Sequence, residues 1–124
     1  MPVAEKHKEI IFTETGLDIE TQEIKLTPSD VQALGPNLNG FYSKNLNLPK
    51  NTVMNLTITD LTAGSRYLFV TPMERVSDGR PNNGDSMFTL LSAALSPDGT
   101  QARIRFKHNW NGTLQCGVSM LYGK

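Results

Sequence analysis

Residues 88–120, FTLLSAALSPDGTQARIRFKHNWNGTLQCGVSM, decide the fold. Ile104 and Phe106 alternate with Arg103, Arg105 and Lys107, and Leu114, Cys116, Val118 and Met120 alternate with Gln115, Gly117 and Ser119. A two-residue apolar period belongs to a half-buried strand. Phe88, Leu90 and Ala94 share even positions with Ala102, Ile104 and Phe106, so a hairpin that joins their apolar faces needs an odd number of loop residues. Pro97-Asp98-Gly99 meets that requirement, with Pro97 opening a type I turn and Gly99 as a left-handed bulge residue. Leu90 is then expected opposite Phe106. The next turn contains Asn111-Gly112, but a two-residue turn there pairs Phe106 with Gly117 and splits the apolar residues between faces. A three-residue loop, Trp110-Asn111-Gly112, keeps Leu114, Cys116, Val118 and Met120 on the face of Ile104 and Phe106. Arg103, Arg105 and Lys107 become a basic ladder on the outer face, opposite Thr113, Gln115 and Ser119. Adjacent arginines also blunt an edge strand against uncontrolled pairing, which is a structural reason for their presence.

Working outward, Val53–Leu61 and Arg66–Thr71 read as a hairpin joined at Ala63-Gly64. Met54, Leu56 and Ile58 form one face of its first strand and Asn55, Thr57 and Thr59 the other. Tyr67-Leu68-Phe69-Val70 is apolar on both faces, which predicts a central strand. Ile10 to Leu26 is strand-like around the acidic run Glu20 to Glu23. Thr27-Pro28-Ser29-Asp30 has the chemistry of a helix start, with Thr27 as N-cap and Pro28 in the first turn, and Gly35-Pro36 stops it, so a short helix is expected near 28–34. Residues 37–51 read as irregular chain around Phe41-Tyr42. Residues 1–9 are polar and charged and read as a flexible N-terminal arm. At least seven strands in residues 10–124 predict one all-β domain, an antiparallel β-sandwich of jelly-roll or Ig-like type.

Leu61-Thr62-Ala63-Gly64-Ser65-Arg66-Tyr67 resembles the Leu-x-x-Gly-x-x-Tyr tyrosine corner of fibronectin type III and other Ig-like sandwiches. Over those seven residues the resemblance implies that the Tyr67 hydroxyl closes a hydrogen bond to the preceding connection.

The 124 residues carry twelve acids and twelve bases, a neutral total that removes the plain electrostatic case for nucleic acid. The distribution is uneven. Residues 1–30 hold seven acids against three lysines, and residues 66–124 hold seven bases against four acids. No apolar run approaches a membrane span, and MPVAEKHKEIIF puts charges where a signal peptide has its apolar region, so synthesis in a reducing cytoplasm without a signal peptide is expected. The single Cys116 lies in an alternating strand and reads as a small buried hydrophobe. Two histidines, His7 and His108, with one cysteine and no ligand spacing give no zinc site, and no nucleophile elbow or phosphate loop occurs. No metal, cofactor or enzymatic activity is expected.

The polar loop 77–85 is longer than a hairpin needs, and its Asp78, Arg80, Asn82, Asn83 and Asp85 are candidate ligand residues, with a solvated loop as the simpler account. Trp110 and Asn111 can stack on and bond a sugar, or Trp110 can cap the core. Glu5, Lys6, Lys8 and Glu9 in the arm, with Arg103, Arg105 and Lys107, are candidate partner-binding residues. A short chain with a polar arm, Asn- and Thr-rich strands and no active-site constellation resembles the small β-sandwich proteins of tailed-phage particles, capsid decoration (cement) proteins and tail components. That resemblance is architectural. It implies a homo-oligomer, with a trimer favoured, seated on a protein lattice such as a capsid or tail and ending in a virion. The alternative is a carbohydrate-binding module or lectin-like domain.

Overall fold

The computed structural model describes residues 8–12, 18–28 and 30–124. The strands are β1 (Lys8–Phe12), β2 (Asp18–Leu26), β3 (Gln32–Gly35), β4 (Leu38–Tyr42), β5 (Leu46–Leu48), β6 (Thr52–Ile58), β7 (Tyr67–Glu74), β8 (Phe88–Leu95), β9 (Ala102–His108) and β10 (Leu114–Gly123). Two sheets form a sandwich-like pair. Sheet A runs β1-β2-β6-β9-β8. In sheet B, β10 is central, with β7 along one edge and β4, then β5, along the other, and β3 outside β4.

The strands form where side chains can be buried at every second position. Met54, Leu56 and Ile58 of β6 and Ala102, Ile104 and Phe106 of β9 face Phe41, Leu46, Leu48, Cys116, Val118, Met120 and Tyr122 of sheet B across one core. Phe88 closes its end, its ring 6.0 Å from that of Phe106. Cys116 is fully buried, as expected of a small hydrophobe, and desolvation pushes its thiol up to about 12.

Leu90 does face Phe106, but by another route than the one the parity argument supplies. Ser96 N donates to Gln101 O, so four residues, Pro97 to Thr100, form the turn. The odd residue is Leu91, a bulge between Leu90↔Phe106 and Ser92↔Arg105. The bulge moves Ala94 to the outer face opposite Arg103 and brings Ala93 inward opposite Ile104. Asp98 organises the turn, its Oδ1 accepting from Ser96 Oγ at 2.7 Å, Thr100 Oγ1 at 2.7 Å and Thr100 N at 3.0 Å. Gly99 has φ 75°, and a methyl group there would collide with the backbone of Ser65, so the turn rests against the β6–β7 connection. Gly64 N donates to Asp98 O at 2.8 Å and Leu61 N to Thr100 O at 2.9 Å.

Several expectations are corrected. No helix occurs among the described residues; Gln32–Gly35 is strand β3, turning through Pro36-Asn37 into β4. Two turns of isolated helix cannot offset their nucleation, whereas β3 gains a ladder, and the Thr27 hydroxyl bonds that of Thr59 at 2.9 Å. The supposedly irregular stretch 37–51 contains β4 and β5, both paired with β10. Neither β6–β7 nor β9–β10 is a hairpin: each connection passes from sheet A to sheet B, so Phe106 and Cys116 meet across the core and not across a ladder. Tyr67 is 57% exposed, so no tyrosine corner forms. β7 is an edge strand, and β9, bearing the arginines, is an inner one. The pair β2–β6 is parallel in an otherwise antiparallel set, which the long excursion through β3, β4 and β5 permits.

The three hydrogen bonds, those from Ser96 and Thr100 foremost, hold the Asp98 carboxyl down at about 2. A depressed folded-state value stabilises the fold above the ordinary carboxylate range, and that contribution is lost as pH falls through about 2. Asp98→Asn is therefore expected to lower the urea midpoint at pH 7, with the gap from the parent protein shrinking toward pH 2.

Candidate functional site

Among the described residues five strands have an open edge, β1 and β8 in sheet A and β3, β5 and β7 in sheet B, and they are not equivalent. In sheet B, β3 is four residues long, which limits what it can pair with. β7 carries Pro72, and because Arg75 N donates to Gln115 O, the parity of that ladder aims the Pro72 nitrogen away from β10. A proline at an outward position withholds a donor from any incoming strand. β8 has neither protection. It is eight residues long, contains no charge and no proline, and its six central residues, 89–94, are all exposed. Leu90 and Leu91 are each 42% exposed and Met87 beside them 66%. Ser96 N bonding to Gln101 O makes 94↔103 and 92↔105 the hydrogen-bonded pairs, so the N–H groups of Ala93 and Leu95 point toward the open edge. The bulge at Leu91 is the one irregularity along it.

Sheet A is also graded in charge. β1 and β2 hold four acids, Glu9, Asp18, Glu20 and Glu23, against Lys8 and Lys25; β6 and β8 hold none; β9 holds Arg103, Arg105 and Lys107. The basic ladder stands on the outer face as expected, but its neighbours are Asn55 and Thr57 of β6 and Thr89, Ser92 and Ala94 of β8. Arg103 is exposed, while Arg105 and Lys107 are half-buried. Asn55 Oδ1 and Arg105 Nε, on directly paired residues, are both buried without a hydrogen-bond partner. Among the arm residues, Glu5 and Lys6 lie outside the described residues, and Lys8 and Glu9 begin β1.

The outer face of sheet B carries a groove of about 530 Å³. Gly40 lies in its floor with Leu34 and Leu121 beside it, Phe69 and Tyr42 form walls, and Asp30, Gln32, Thr71 and Ser119 supply polar groups. Phe69 is 62% exposed. Tyr42 is fixed at one end, its hydroxyl donating to Gly79 O at 2.7 Å and its ring covered by the Arg75 guanidinium 3.7 Å from the centroid. Arg75 is buried over Gly117, where any side chain would collide with it, and donates to Ser43 O and, at 3.1 Å, to Val118 O. Burial lowers its pKa from the usual guanidinium value.

The loop 77–85 is more ordered than a solvated connection. Arg75 bridges Pro81, Val76 N donates to Arg80 O, and Asn82 Nδ2 donates to Glu74. Asp78 pairs with Arg80 at 2.8 Å within the turn, and Asn83 and Asp85 are exposed. Among the described residues no three His, Cys, Asp or Glu side chains gather as metal ligands. Trp110 is 50% exposed and does not cap the core. Its backbone N–H donates to His108 Nδ1, and the Nε2 of that buried ring donates to Leu48 O at 2.6 Å. Asn111 accepts from Lys50 Nζ. Sequence reasoning passed over Leu91, Phe69, Leu34 and Leu121; the available signal was apolarity on both faces of 67–70 and 88–95, which marks an edge or a groove as well as a central strand. Comparison with protein-family models, curated proteins and solved structures found no match.

Arg75→Met leaves the carbonyls of Ser43 and Val118 short of a donor and uncovers Tyr42, and is expected to destabilise the fold by about 2–3 kcal/mol in urea unfolding. Arg75→Lys recovers little of it, because an ammonium cannot span both carbonyls and stack on the ring.

Proposed function

We propose that this chain is a non-catalytic assembly protein that joins copies of itself and, through them, binds a larger protein lattice of the kind found in tailed-phage capsids and tails. The observation that carries the reading is β8: an eight-residue, uncharged, exposed edge with outward N–H groups. Such an edge is a template for pairing, and soluble proteins otherwise shorten, charge or block it. Within this fold β3 and β7 are so treated and β8 is not. Leu90, Leu91 and Met87 add apolar surface that a neighbour would cover.

Light scattering across a concentration series is expected to give a defined multiple of 13.7 kDa. Ala93→Pro removes one outward N–H and spares the ladder to β9, so it is expected to reduce the assembly to monomer while the melting temperature stays near that of the parent. A parent protein that remains monomeric at high micromolar concentration overturns the reading.

A second reading, saccharide recognition, is favoured by the groove on sheet B, whose aromatic walls Phe69 and Tyr42 stand beside Asp30, Gln32, Thr71 and Ser119. Its volume falls in the range of roughly 300–1,000 Å³ typical of small-molecule sites. On a glycan array, this reading expects binding that Phe69→Ala abolishes and Trp110→Ala leaves intact.

A further inference from the structure

Among the described residues, the two open edge strands of sheet A run in opposite directions, and the strands just inside them, β2 and β9, are opposite in net charge. β1 is antiparallel to β2, β2 parallel to β6, and β6 antiparallel to β9, which is antiparallel to β8, so β1 and β8 run opposite ways. Two copies placed side by side in the same orientation therefore present β1 of one antiparallel to β8 of the other. The acidic pair β1–β2 then lies next to the β8–β9 pair with its three cations.

We propose that copies of this chain join head to tail, β1 of one copy adding as an antiparallel strand to the open edge of β8 in the next. The inference rests on the assembly reading above and specifies its partner strand. A two-fold pairing of β8 with β8 satisfies the same N–H groups but flanks the junction with Arg103, Arg105 and Lys107 of both copies, on one face of the joined sheet. A two-fold pairing of β1 with β1 sets a β2 strand, with three acids against one lysine, one strand in from the junction on each side. Only the head-to-tail joint opposes unlike charges, and such complementarity selects among geometries that hydrogen bonding alone leaves equal. A heterologous joint of this kind closes into a ring when the rotation per copy divides a full turn. Rotation is available from sheet twist, about 20–25° between neighbouring strands, together with the tilt at the joint. A closed ring uses every β1 and every β8, which leaves no free edge in sheet A.

The test uses the full chain. Glu9→Cys and Ser92→Cys are made singly, the native Cys116 being fully buried and so silent. A short bismaleimide is expected to link the two variants when they are mixed, through positions 9 and 92 as read by peptide mass spectrometry, and to link neither alone. Links within Ser92→Cys alone show β8–β8 pairing and overturn the head-to-tail order while leaving self-assembly standing. Links within Glu9→Cys alone do the same through β1. A monomeric parent protein removes both proposals. Should either variant fail to assemble, hydrogen exchange on the parent decides: slowing on assembly is expected at the outward amides of Ala93 and Leu95 and in β1 together, and slowing in one of these strands alone overturns the inference.

Discussion

Where β10 passes from one partner strand to the next, its edge would carry unpaired backbone groups inside the protein. Ser43 fills that step. Its N–H donates to Val118 O at 3.0 Å, its hydroxyl accepts from Val118 N at 2.9 Å and donates to Lys44 O, and its carbonyl accepts from Arg75. Arg75 reaches Val118 O as well, so one serine and one arginine complete the ladder between the end of β4 and the start of β5. Buried backbone groups left unmet destabilise a fold by about 1–3 kcal/mol each, and this junction meets them without a continuous strand. Everything on sheet B depends on it, because β10 is the strand to which β4, β5 and β7 all attach.

The same junction shapes the outer face. The buried Arg75 cation is held by two carbonyls and an aromatic ring, and Tyr42 gains a fixed orientation in return. The 77–80 turn closes over this pair through Gly79, so the loop is an extension of the packing. What remains open beyond Tyr42 is the groove. Gly117 and Gly40 are both needed for different reasons: the first makes room for Arg75, and the second leaves the groove floor bare. The outer face of sheet B is thus sealed at one end and open in its middle.

The alternation in 54–58, 102–106 and 114–120 made the core residues legible, and all of them but Leu114, which is buried apart, lie in one core. Parity arguments also found Leu90 opposite Phe106, because side-chain period is a local property. What the sequence did not disclose was which sheet each strand joins. A turn that reverses the chain within a sheet and an arch that carries it to the facing sheet both place apolar faces in the same core, so Trp110-Asn111-Gly112 and Ala63-Gly64 fit either geometry. The bulge at Leu91 was hidden for a similar reason, since an extra turn residue and an extra strand residue correct parity equally well. Gln32–Gly35 was misread because helix-capping chemistry at Thr27 and Pro28 is local, while the partner that makes β3 a strand is supplied by β4. The candidate site was visible only as residue types; that β8 is the exposed edge and β9 the inner strand follows from sheet order, which no short window of sequence contains.

Net charge is the last point at which sequence and architecture meet. A neutral chain of this size is prone to nonspecific association, and an unprotected apolar edge adds to the hazard. Separation of the charges changes that balance. With acids gathered on β1–β2 and cations on β9, two copies approaching by the same edge repel, and two approaching by opposite edges attract. In the proposed assembly, the gradient across sheet A is a filter on orientation, steering encounters toward one geometry while the hydrogen-bonding edge supplies adhesion. Because β6 between them carries no charge, the two zones remain distinct and do not cancel across neighbouring strands. A total of zero thus results from two opposed zones of charge on one sheet, and in the proposed head-to-tail joint those zones meet as unlike charges.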